Sequence, residues 1–325
     1  MSMWRSLRRR VLTPDVSETS LAVRGFHVKN AEARDRLETV GRSFLTGYAY
    51  AAEAAHDLDA EVGLEGVPAP FRGFAYEGAA MGFGVRDGLP LGGTRHVETF
   101  LTGRAARHVY MAYVGVGWAM ARLPRLRWST LHAPDPLLRW LVLDGYGFHQ
   151  AYFKTDRYVH QHYREVDFPW PVGGPAGYAA RVIDQGVGRA MWFVGGTDAE
   201  RVHEMIQRFP ADRHADLYSG AGLAATYAGG ADGAELEWFR DAAGPHRADV
   251  AQGAAFAAGA RVLADLVVPH NEVATKVFCG MSPAEASQVN DEARIATTGL
   301  RGDQPDYEAW RQRIRGVFER EGDTV

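Results

Sequence analysis

The chain is short of cysteine, lysine and long apolar runs, and each shortage excludes something. Cys279 is the only cysteine in 325 residues, so one chain can form no internal disulfide and no cysteine cage for zinc. A reducing cytoplasm fits that usage, and cytoplasmic is the expected location. Lysine occurs only at 29, 154 and 276, and 36 basic residues face 40 acidic ones for a net charge of −4. No nucleic-acid partner is expected from that balance. No stretch approaches the roughly 18 uninterrupted apolar residues of a membrane span. The basic start, Trp4 through Arg10, lacks the apolar run of roughly 7–15 residues that a signal peptide needs behind it. Alternating apolar and polar residues bounded by turn signals are also missing, so few strands are expected.

Glycine, by contrast, is plentiful at 37 residues, and its placement is periodic. Gly47, Gly78, Gly115, Gly186, Gly220 and Gly253 each open a Gly-x-small-x-small segment, and Gly145 opens a seventh that places His149 at the last small position. Successive leading glycines are 31, 37, 30, 41, 34 and 33 residues apart, the length of a helix-turn-helix unit. Small residues one turn apart let helix backbones approach closely, which outweighs a glycine cost of about 1 kcal/mol against alanine. Second helices are predicted over 198–209 and 235–243, and the run from Asp216 to Ala243 is similar to a Sel1-type tetratricopeptide repeat. The expected fold is all-α: a tetratricopeptide- or Sel1-like α-solenoid of about seven hairpins over residues 31–295. An N-terminal extension, 1–30, precedes it, and a loop and capping helix, 296–325, follow.

Positions one before, three after and seven after each leading glycine share one helix stripe. Read together they place Glu77, Asp144, Gln185, Ser219 and Gln252 in a polar ring beside Trp118, Phe148, Arg189 and Phe256, with Arg122, Tyr152, Phe193 and Tyr227 one turn further on. Lining an inner cavity and ordinary core packing both remain open for these large side chains. His149 breaks a rule kept elsewhere in the repeat, so His149, Asp144 and Glu77 are the candidate catalytic residues for moving a proton. The other eleven residues, Trp118, Arg122, Phe148, Tyr152, Gln185, Arg189, Phe193, Ser219, Tyr227, Gln252 and Phe256, are candidate substrate contacts. The long 41-residue interval carries Tyr158, His160, His162, Tyr163, Phe168 and Trp170, an aromatic insertion that reads as a lid. His160-x-His162 lacks a well-placed third ligand, and neither metal nor organic cofactor is expected. An arginine five to eight residues before each motif reads as pairing between repeats.

Beyond the repeat, the stretches from Arg72 to Met81, Val114 to Ala119, Asp135 to Trp140, Leu143 to His149, Asp184 to Arg189 and Gln252 to Ala257 resemble an uncharacterised bacterial family encoded in enediyne natural-product gene clusters. That resemblance spans about residues 8–294. It implies a role in maturing a polyketide-derived enediyne, with a small-molecule substrate and other pathway enzymes as partners, and it carries no catalytic residues over. The expected function is a cofactor-independent tailoring or cyclising enzyme for a large apolar polyene or polycyclic aromatic. The alternative is a non-catalytic scaffold binding a peptide, a partner enzyme or the enediyne product.

Overall fold

The computed structural model describes residues 3–90, 95–171, 175, 177–297 and 304–322. Among these every regular element is helical. Nine helices organise the molecule. Seven carry the repeated glycines: α1 (Ala31–Glu53), α2 (Ala69–Gly88), α3 (Val109–Arg122), α4 (Leu141–Phe153), α5 (Tyr178–Val194), α6 (His214–Ala228) and α7 (Arg247–Leu263). They pack in chain order, each against the next, and α8 (Pro283–Thr297) and α9 (Asp306–Gly322) complete the row.

The glycines explain the spacing of that row. The leading glycine of α3, α4, α5, α6 and α7 lies against the backbone carbonyl of the residue immediately before the previous leading glycine: Glu77, Val114, Asp144, Gln185 and Ser219. The second glycine of each Gly-x-Gly pair, at 117, 147, 188 and 222, lies against a carbonyl of the following helix. A side chain at any of these positions would occupy the space of a neighbouring peptide group, so only glycine permits the approach.

The outer layer is uneven. Full second helices follow α5, α6 and α7, at Ala199–Gln207, Gly233–Ala242 and Pro269–Cys279. Their starts follow from local chemistry: the Asp198 side chain accepts from the Arg201 N–H, and Asp232 and Glu235 form a reciprocal capping box. After α1 and α2 the partners shrink to Ala60–Glu65 and His96–Phe100, and after α3 and α4 only short 3-10 and π turns remain among the described residues. The expectation of about seven hairpins is met by three with a full second helix. Proline at 124, 134 and 136 interrupts the chain where a partner to α3 would run.

The row curls until its ends meet. Arg36 of α1 donates to the Ala228 carbonyl at the end of α6 (3.0 Å), Lys29 reaches the Gly230 carbonyl (2.9 Å) and Glu235 (2.6 Å), and Arg261 of α7 donates to the Pro70 carbonyl at the start of α2 (3.0 Å). The inner faces therefore press together into the main core. Helix α9, expected as an end cap, instead enters this inner side. Tyr307 donates to Gln185 (3.2 Å), Arg311 pairs with Asp216 (2.8 Å) and donates to Gln252 (3.3 Å), and the Trp310 ring lies 4.5 Å from that of Phe256.

Candidate functional site

Two cavities remain where the inner faces meet, and stripe residues line both. The larger, about 60 Å³, is bounded by Glu77, Trp118, Arg122, Phe148, Tyr152, Arg189 and Phe193, as well as by Phe44, Phe74 and Phe153. The smaller, about 40 Å³, is bounded by Asp144, Arg189, Tyr227, Phe256 and Trp310. Their walls are aromatic because large side chains of neighbouring helices meet on the inner side: Phe44 and Trp118 are 4.4 Å apart at their centroids, Trp118 and Phe148 5.2 Å, and Phe148 and Phe193 5.1 Å, although on α1 Phe44 takes this place and not a stripe residue.

Arg189 borders both cavities and is buried, with its guanidinium against Asp144 and 4.0 Å from Glu77, and 5.1 Å above the Phe148 ring. Three ionisable groups thus share one apolar interior. Burial raises the Glu77 carboxyl to about 7; Arg189 opposes that shift and Asp144 adds to it. Asp144 is also raised, first by burial, against the pull of Arg189. Arg189 pays for its own burial through the two carboxylates, which outweigh desolvation and raise its pKa. Asp144 Oδ2 and Arg189 Nε have no hydrogen-bond partner, and the Trp118 indole N–H faces Glu77 without closing a hydrogen bond.

Glu77, Asp144 and Arg189 are thus brought together, and His149 is not with them. Its ring borders neither cavity and lies behind Trp118 (5.4 Å) and beside Phe153 (4.7 Å), with neither nitrogen hydrogen-bonded. Burial first, then the charges of Arg122, Lys154 and Arg24, lower its pKa to about 3, so it is neutral at physiological pH. The helical repeat is the reason: position 149 is four after Gly145 and faces along the helix contact, whereas 144, 148 and 152 face the interior. Gln185, Ser219 and Gln252 are buried and border neither cavity: Ser219 donates to Gln252 at 2.7 Å, and α9 engages Gln185 through Tyr307 and Gln252 through Arg311.

A family model described as "Protein of unknown function (DUF1702)" matches residues 3–318. The chain belongs to the DUF1702 family. Comparison with curated proteins and with solved structures gave no match.

In this DUF1702 chain the aromatic insertion is not the cover of the cavity. Phe168 stacks on Trp128 (5.1 Å), Tyr146 and Tyr158 each donate to Glu165 (2.9 Å), and among the described residues of the insertion none borders either cavity. Of its histidines, His162 packs on Phe209 (4.3 Å) and its carbonyl accepts from Arg213 (2.6 Å), while His160 is exposed. No set of three metal-binding side chains converges among the described residues. Arg213 in turn grips Asp184 through two hydrogen bonds (2.6 and 3.0 Å), and Arg181 holds Asp216 (3.0 Å), so these repeat arginines do tie neighbouring units together.

The cover is the N-terminal segment. Pro14, Glu18 and Thr19 border the larger cavity, and Thr19 packs on Gly41 of α1 so closely that a Cβ there would lie 2.8 Å from the threonine Cβ. Sequence reasoning missed this segment because it lies outside the repeat. It also missed Phe74, Met111 and Leu141, yet these fall four residues before a leading glycine, on the same stripe one turn earlier. At that offset α6 and α7 carry Asp216 and Asp249, the partners of Arg311 and Arg315 of α9.

Proposed function

We propose that this chain is a cofactor-independent enzyme of enediyne biosynthesis that tailors or cyclises a large apolar polyene or polycyclic aromatic, with Glu77 moving the proton. One observation carries the reading: a buried carboxyl poised near neutral pH borders an aromatic-walled cavity. A group that titrates near the working pH exchanges protons in both directions at least cost. The pathway rests on the sequence stretches that resemble enediyne-cluster proteins. We also read the helix row as a solenoid of the tetratricopeptide kind, supported by the recurring glycine-on-carbonyl contacts, and the cytoplasm as its location, in keeping with a single buried thiol at Cys279.

The chemistry that suits the site is an enolate cyclisation of a polyene that retains two carbonyl groups. Ionised Glu77 takes a proton from a carbon beside a carbonyl, and the bonding pair moves into an enolate oxygen. The enolate carbon attacks a second carbonyl carbon of the same molecule, a C–C bond forms, and the proton returns from Glu77 to the new alkoxide. Arg189, with Nε–H unused, offers a donor for the developing oxyanion in a dry setting where such a bond is strong. His149 has no part in these steps. A peptide scaffold is less well supported, because α9 already fills the polar stretch at Gln185 and Gln252 where a peptide would lie.

The test is metabolite profiling of a strain lacking the protein, followed by incubation of the accumulated precursor with purified chain. Conversion is expected, and Glu77→Gln should slow it by about 10²–10⁴-fold with the helical content intact. A native protein inert on that precursor would sink the enzymatic reading, and full activity in Glu77→Gln would sink the assignment of the carboxyl.

A further inference from the structure

The larger cavity has one end unlike the rest. Glu77 and Arg189 lie at its closed end; at the other, Arg122 of α3 borders the cavity, is exposed, and makes no ion pair or hydrogen bond among the described residues. Phe153, half-buried at the end of α4, borders both this cavity and a surface groove of about 340 Å³ that holds Arg24, Lys154, Thr155, Asp156 and Arg157. Phe153 is thus the partition between interior and groove. Arg24 stacks over its ring at 4.8 Å, and Lys154 follows it in sequence, exposed and without an ion pair among the described residues. Cavity mouth and groove together carry four cations, Arg24, Arg122, Lys154 and Arg157, against two anions, Glu18 and Asp156, in a chain that is acidic overall. Glu18 and Arg24 neutralise one another at 2.8 Å, which leaves Arg122, Lys154 and Arg157 against Asp156.

Helix dipoles account for part of this, since Arg122 and Lys154 end α3 and α4. They do not account for Arg24, which comes from the N-terminal segment and donates to the Tyr152 carbonyl at 2.9 Å, nor for His149. That imidazole is 5 % exposed, lies against Phe153, is unbonded at both nitrogens, and lies close enough to Arg24, Arg122 and Lys154 to feel all three charges. An uncharged ring with an unused N–H, surrounded by cations, complements an acceptor that bears negative charge.

We infer that the ligand of this cavity is an elongated apolar molecule ending in a carboxylate, which Arg122 and Lys154 hold at the mouth beside the Arg24–Glu18 pair while the apolar end lies toward Glu77. The inference rests on the reading of the cavity as a small-molecule site. Turning the Phe153 ring aside joins the interior of about 60 Å³ to the groove of about 340 Å³, and the joined space suits an extended chain where the interior alone does not. Such a move also uncovers His149 beside the bound carboxylate. The orientation places the reacting carbons at the end remote from the acid, and a neutral hydrocarbon of the same length would be held far less well.

The probe is cis-parinaric acid, a conjugated tetraene carboxylic acid that fluoresces when it leaves water, compared with its methyl ester. The native full-length chain should bind the acid at least about tenfold more tightly than the ester, and the advantage should shrink as salt is raised. Arg122→Ala with Lys154→Ala, both at exposed side chains, should weaken acid binding by about tenfold or more and leave ester binding unchanged. Equal binding of acid and ester, or acid binding unaltered in the double variant, overturns the carboxylate assignment and leaves the apolar cavity in place. If neither probe binds the native chain, this inference and the small-molecule reading of the cavity fall together.

Discussion

Replacing one glycine on a helix contact tests the packing argument most directly. A Cβ at Gly186 would lie 2.7 Å from the Phe148 backbone N, 2.9 Å from the Asp144 carbonyl carbon and closer still to the Asp144 oxygen. Ordinary contact needs about 3.4 Å or more, so α4 and α5 must part by at least about 0.7 Å, and both neighbours are backbone that no rotamer change can move. Overpacking of this kind costs about 1–3 kcal/mol, and two rigid helices put Gly186→Ala at the upper end, beyond the gain of about 1 kcal/mol from alanine's better helix propensity. With an unfolding entropy of about 2.1 cal/mol/K per residue, a chain of 325 residues loses about 1.5 °C of midpoint per kcal/mol. A net loss of about 2 kcal/mol then lowers the midpoint by about 3 °C. Gly316→Ala is the control: it lies inside α9, the nearest atom to a new Cβ is the Arg320 guanidinium at 3.7 Å, and the midpoint should rise by about 1 °C. Scanning calorimetry of the two variants against the native chain decides it. A Gly186→Ala protein as stable as the native one would refute the claim that close backbone approach sets the repeat.

Removing Arg189 should leave two buried carboxylates uncompensated, so Arg189→Met is expected to destabilise by about 3–5 kcal/mol in urea titration, and adding Glu77→Gln and Asp144→Asn should recover much of that loss. No recovery would mean that the cluster is not one electrostatic unit. Glu77 has a folded pKa of about 7, above its unfolded value, so the folded state holds the extra proton; its contribution is complete below about pH 4.5 and is lost as pH rises through 7. Glu77→Gln should therefore flatten the fall in stability between about pH 5 and 8 by about 1–3 kcal/mol, and curves of equal slope for the two proteins would contradict the shift. His149→Phe removes two unsatisfied buried nitrogens and keeps the ring, so it should leave stability unchanged or raise it by about 1 kcal/mol in the same titration; a loss of 2 kcal/mol or more would show hydrogen bonding that the structure lacks.

Much of the architecture was legible in the chain itself. The seven leading glycines all fall in helices, and the 3.6-residue period is enough to say which residues of each helix share a face, so spacing alone puts Glu77, Trp118, Phe148 and Arg189 on one surface. Apolar residues at helical spacing, Val202, Met205 and Ile206 in one and Leu236 and Phe239 in the other, marked two outer helices to within two residues. What stripe reasoning cannot supply is the distance between stripes. How tightly the row curls depends on every helix pair at once, and it is the curl that turns an inner face into a closed core with a narrow cavity. The same limit explains His149, which broke the pattern of its own helix yet came to rest behind Trp118, and α9, whose amphipathic stripe gave no sign that it would reach Gln185 and Gln252 as well as packing on α8 at the end of the row. Local spacing determines helices and faces; which faces meet, and how much space they leave, is decided only by contacts between residues far apart in the chain, such as Glu77 with Arg189 and Thr19 with Gly41.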